Sequence, residues 1–123
     1  MFTARDEGRW RLNWTVVGAV LALLGVAAGA FGAHALRSMV DAARIETFEV
    51  AVRYQMFHAI AVLLAGMLGA PAAGWCFLAG VVVFSGSLYL LVLTGARWLG
   101  VVTPVGGVLF MLGWVLLAFE ARK

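Results

Sequence analysis

Residues 54–96 read YQMFHAIAVLLAGMLGAPAAGWCFLAGVVVFSGSLYLLVLTGA, 43 positions without Asp, Glu, Lys or Arg. A bilayer core takes about 20 predominantly apolar residues per spanning helix. The stretch therefore holds two spans. Gly69-Ala70-Pro71-Ala72-Ala73-Gly74 is the uncharged turn between them. So short a turn makes the two helices antiparallel neighbours. Upstream, 25 uncharged residues separate Arg11 from Arg37; downstream, 22 separate Arg97 from Glu120. Each outer run fits one span. The pattern predicts an all-α polytopic membrane protein: a four-transmembrane-helix bundle in one domain, residues 1–123.

Composition agrees. Of 123 residues, 64% are hydrophobic and 12% charged, whereas a soluble domain carries about a quarter charged residues. The net charge of +3 comes from cations placed at helix ends. They are not massed on one face as a nucleic-acid surface requires, so membrane lipids are the expected partners and nucleic acid is not. Cys76 has no second cysteine to pair with, and no Cys/His metal spacing exists. The first apolar run follows Arg5, Arg9 and Arg11 as a signal peptide would. It exceeds a signal core of about 7–15 residues and reads as a retained helix.

The first helix is expected over about 14–36. Gly25-x-x-x-Gly29-x-x-x-Ala33, with Gly32 beside it, is a small-residue ladder for close packing inside the bundle. A short amphipathic interfacial helix is expected over 38–53, perched on the membrane surface or continuous with the second helix. Ser38-x-x-Asp41 fits a capping box, and Glu49 and Arg53 form an i,i+4 pair. The second, third and fourth helices are expected over about 54–68, 75–94 and 99–119. Thr103-Pro104 leaves the fourth start open. It reads either as an N-cap with Pro at the first helical position, or as a kink inside a longer helix.

Four spans put both termini on one side. Arg5, Arg9, Arg11, Arg122 and Lys123 lie there, against Arg37, Arg44, Arg53 and Arg97 opposite. That count favours cytoplasmic termini. Trp10, Trp14 and Trp75 fall near the terminal side and Trp98 near the other, as an aromatic belt requires.

The topology gathers His34, Gln55, His58, Thr94 and Thr103 on one side, with Tyr54 at the rim. Tyr89, Ser87 and Ser85 continue that polar track toward the midplane. Polar groups at membrane depth are costly and face the bundle interior. A structural or ligand-binding module ranks first among the readings, in which the cluster ties helices together by hydrogen bonds or holds a lipid headgroup or small polar molecule. A proton or solute path ranks next, because His titrates near neutral pH. Four short helices enclose little space, so such a path requires a homo-oligomer. A metal site lacks ligands beyond two His, and bis-His haem has no further support, so no cofactor is expected. Glu120 is expected to snorkel to the headgroups. Ser85-x-Ser87 has no base beside it, so no enzyme activity is expected.

Gly29-Ala30-Phe31-Gly32-Ala33-His34-Ala35-Leu36 resembles the first signature of the YgdD/YwdK-type bacterial membrane family. Phe48, Ala51, Tyr54-Gln55 and His58-Ala59 resemble the second. Phe84-Ser85-Gly86-Ser87-Leu88-Tyr89 with Leu93-Thr94-Gly95 resembles the third. Thr103-Pro104-Val105-Gly106-Gly107, Phe110 and Gly113-Trp114 resemble the fourth. The match covers nearly the whole chain in order; the extension 1–11 is longer and more charged than the family pattern. The resemblance implies a small four-helix protein of the bacterial inner membrane. It implies no activity, because the family is a domain of unknown function.

Overall fold

A computed structural model describes residues 12–121. Trp10 and the basic residues at the two termini lie outside the described residues. Among the described residues, four helices are long and apolar enough to span a membrane: α1 (Trp14–His34), α2 (Ala42–Leu68), α3 (Pro71–Thr94) and α4 (Leu99–Ala121). The expected four-span, all-α architecture is the one observed.

Local chemistry sets the ends. Asn13 caps α1, its side chain accepting from the Val16 N–H at 3.2 Å. A 3-10 turn, Leu36–Ser38, follows α1 and buries Leu36 completely. Asp41 then caps α2 by accepting from the Arg44 N–H at 2.9 Å. The expected Ser38-x-x-Asp41 capping box does not form, because Asp41 is itself the N-cap and Arg44 stands where a reciprocating Glu or Gln would be needed. Ser38 instead donates back to Ala35 O at 3.0 Å.

Of the two readings of the interfacial segment, continuity with the second helix is the one observed. The segment forms the first turns of α2, a single helix of 27 residues. No Gly or Pro between 42 and 53 interrupts it. At 1.5 Å per residue α2 is about 40 Å long, so its charged start extends beyond a hydrocarbon core of about 30 Å. Glu49 pairs there with Arg37 at 3.6 Å rather than with Arg53. Both partners are more than half exposed, so the pair contributes little.

The α2–α3 turn is tighter than expected, because α3 starts at Pro71 instead of 75. Gly69 adopts φ 67°, the left-handed conformation that suits glycine. The Ala70 N–H reaches Ala65 O at 2.8 Å, which closes a Schellman cap. Pro71 then takes the first helical position, where its missing N–H costs nothing. Midway along α3, Val81–Ser85 widen into a π-helical turn. α4 is one helix from Leu99 with Pro104 inside it, so Thr103 is not its N-cap.

The helices lie in chain order. α2 and α3 are the inner pair, with 39% of each spanning window buried, against 17% for α1 and 22% for α4. The flanking helices expose apolar faces, such as Val20, Leu23 and Leu24 on α1 and Val108 and Met111 on α4. In a membrane these faces meet lipid. One core cluster gathers Trp14, Val62, Phe77 and Leu117 near the chain ends. A second gathers Leu36, Ile45, Phe48 and Val92 near the opposite turns.

Candidate functional site

Hydrogen bonds from side chains to the side chains and backbone of neighbouring helices make up the site. Gln55 and His58 are three residues apart on α2 and both are buried. Gln55 Nε2 donates to Leu21 O on α1 at 2.8 Å. Its Oε1 accepts from the Tyr89 hydroxyl on α3 at 2.6 Å. One amide thus joins three helices and spends both of its polar atoms. Ser85, with no exposed surface, donates to Ala51 O on α2 at 2.7 Å. It closes the π-helical turn of α3.

Ser87 and Thr103 bring their hydroxyls to 2.6 Å and join α3 to α4. Trp114 Nε1 on α4 donates to His58 Nε2 at 3.1 Å. An indole nitrogen only donates, so Nε2 must be the accepting nitrogen of the ring. Nδ1 then carries the proton and donates to Tyr54 O at 2.8 Å. The imidazole is neutral in this arrangement. Phe110 stacks on it at a centroid distance of 3.6 Å. At the other end, Glu120 Oε1 accepts from the Ala73 N–H at 3.0 Å. A carboxylate from α4 thereby caps the start of α3, where the helix dipole favours negative charge. This corrects the headgroup role expected for Glu120.

The sequence-derived residues divide into two sets. Gln55, His58, Ser85, Ser87, Tyr89 and Thr103 come together as the polar network. Tyr54 joins through its carbonyl, while its ring packs on Phe84 at 4.7 Å. His34 and Thr94 do not join. His34 is exposed at the end of α1. Thr94 folds back onto Leu90 O at 2.6 Å. The packing residues also divide: Gly25 and Gly32 are buried against α2, Gly29 is half-buried and Ala33 is exposed. Gly18, Gly25 and Gly32 are the buried glycines of α1, so its seam repeats every seven residues rather than every four. Sequence reasoning did not place Trp114 or Glu120 in the site. Among the described residues, no group of three or more His, Cys, Asp or Glu is arranged to hold a metal ion.

The family model "Protein of unknown function (DUF423)" matches residues 28–107. That range includes Gln55, His58, Ser85, Ser87, Tyr89 and Thr103, and leaves out Leu21, Trp114 and Glu120. A UPF0382 membrane protein of Staphylococcus aureus is 44% identical over 114 residues, covering 88% of this chain and 93% of its own. One from Staphylococcus saprophyticus is 42% identical, with 88% and 95% covered. The UPF0382 membrane protein YwdK of Bacillus subtilis is 39% identical over 116 residues, with 88% and 94% covered. No solved structure matches. Four spans and these relatives together give a multi-pass, inner-membrane topology. The chain belongs to the DUF423 family of UPF0382 membrane proteins.

Proposed function

We propose that the chain is a structural module of the membrane whose polar network clasps its helices, and that it neither moves solutes nor catalyses a reaction. One observation carries this reading: among the described residues, every buried side-chain nitrogen and oxygen has a hydrogen-bond partner. A path for protons or solutes needs polar groups that can change partners. Here Gln55 is spent on both sides, Ser85 is closed off from solvent and His58 is held from both ring nitrogens. The hydroxyls of Ser85 and Ser87 are likewise engaged, so neither is poised as a nucleophile.

The test uses proteoliposomes loaded with a pH-sensitive dye or labelled small solutes. The parent protein should pass neither protons nor solute faster than empty liposomes. Flux above that background, lost in His58→Ala, would overturn the reading. The clasp has its own readout. Tyr89→Phe leaves Gln55 Oε1 unpartnered and should lower stability in detergent by about 1 kcal/mol, within the range of interhelical hydrogen bonds in membranes. An unchanged stability would remove Tyr89 from the clasp.

In this reading the termini face the cytoplasm. Five basic residues on the terminal side against four opposite support that orientation. A tag on either terminus should resist protease in intact spheroplasts, and its cleavage there would reverse the orientation.

A further inference from the structure

The network leaves the arginines of the opposite rim unused. Two of them converge. Arg44, in the first turn of α2, and Arg97, in the α3–α4 turn, line one open depression of about 410 Å³ with Asp41, Thr47, Leu91 and Gly95. Arg44 is half-buried, while Arg97 is exposed. Gly95 makes room for the first guanidinium. Its φ is 73°, and a Cβ there would stand 2.7 Å from Arg44 Nη2. Only a residue without a side chain lets Arg44 sit so close to the end of α3.

The charges around the depression are accounted for. Arg37 has Glu49 as its partner, and this is the only carboxylate–cation pair within 4 Å among the described residues. Arg44 and Arg97 therefore have none. Asp41 lies on the rim and opposes an anion, but one of its oxygens is already held by the Arg44 N–H. The Thr47 hydroxyl is spent on Ala43 O. What remains is a pair of guanidiniums, the side chain best suited to bind phosphate oxygens in pairs.

Position narrows the source of the phosphate. The depression lies where α3 ends and α4 begins, beside the exposed Trp98, which is the level of lipid headgroups. Further along α2, toward the membrane interior, Tyr54 and Phe57 are exposed, apolar surface of the kind that meets acyl chains.

We propose that Arg44 and Arg97 form a site for the phosphate of an anionic phospholipid. The site does not depend on the polar clasp, so either idea can fail without the other. Thermal unfolding of the full chain in detergent tests it, with phosphatidylglycerol, phosphatidylcholine of the same acyl chains, or inorganic phosphate added. Phosphatidylglycerol should raise the melting temperature and phosphatidylcholine should not. Arg97→Gln, an exposed change that spares the core, should weaken the apparent affinity about five-fold, a typical share for one basic residue at a membrane surface. Arg37→Gln should leave the affinity unchanged. Equal shifts with both lipids, or an Arg97→Gln response equal to the parent's, would overturn the site. A shift with inorganic phosphate that matches the phosphatidylglycerol shift would overturn the lipid as its ligand. If Arg44→Gln lowers basal stability but keeps the lipid response, Arg44 serves only the end of α3 and the paired site is overturned.

Discussion

The α1–α2 and α3–α4 seams are both built on glycine, but side chains meet Gly25 and Gly32 of the first while backbone meets Gly106 of the second. On α1, a Cβ at Gly25 would meet the Met56 sulfur at 2.5 Å, and one at Gly32 would meet the Phe48 ring at 2.9 Å. On α4, a Cβ at Gly106 would fall on the backbone of Phe84, with Cα 2.7 Å away. Phe77 fills the notch at Gly113, and Phe110 fills the notch at Gly80. A thioether end can rotate away, whereas a helix backbone moves only with its whole helix. The first seam is therefore adjustable at Gly25, although at Gly18 an added Cβ would stand 2.9 Å from the backbone oxygen of Ala59. The second fixes the distance between its helices, and with it the Ser87–Thr103 and Glu120–Ala73 contacts that cross it.

Gly106→Ala should show the largest effect. Overpacking against a rigid neighbour costs about 3 kcal/mol, the upper end of the usual range. Reversible unfolding in mixed micelles measures it. Gly25→Ala adds the same methyl group but faces Met56, which has three rotatable bonds to absorb it. Its cost should be nearer 1 kcal/mol. Equal costs at the two positions would end the distinction between a rigid and an adjustable seam.

The spans were legible because charge is excluded from the hydrocarbon and clusters at its edges. Gln55 and His58 were legible as a pair, since positions three apart share a helix face. Which way a face points was not. His34 and His58 both sit in apolar runs, and only the rotation of each helix separates them. The α1 seam runs through Gly32, and His34 lies about 200° further round, away from α2. Trp114 gets no role from the sequence beyond its place in the fourth signature, because an indole N–H gives no sign of His58 on another helix. Glu120 reads as an anchor for the same reason: its partner, the Ala73 N–H, is a backbone group that no residue pattern encodes. The single helix 42–68 is one of the two readings the sequence offers for this segment. Its charges suggested a surface segment, but nothing in it breaks the helix, and a helix can outgrow the bilayer.

Gly29→Ala should have the smallest effect. Gly29 is the middle residue of the four-residue ladder Gly25, Gly29, Ala33, and a ladder seam would make it a tight contact. The structure gives it a looser place. An added Cβ meets only Val52 Cγ1 at 3.4 Å, and the residue lines a depression of about 160 Å³ with Val52 and Arg53. Two terms then oppose each other. Val52 must give by a few tenths of an ångström, while alanine in a helix interior is favoured over glycine by about 0.5–1 kcal/mol. Stability should stay level or rise by about 0.5 kcal/mol in the same unfolding experiment. A loss as large as that of Gly25→Ala would mean that α1 meets α2 along the four-residue ladder. The seven-residue seam would then be wrong, and with it the rotation that turns His34 away from the site.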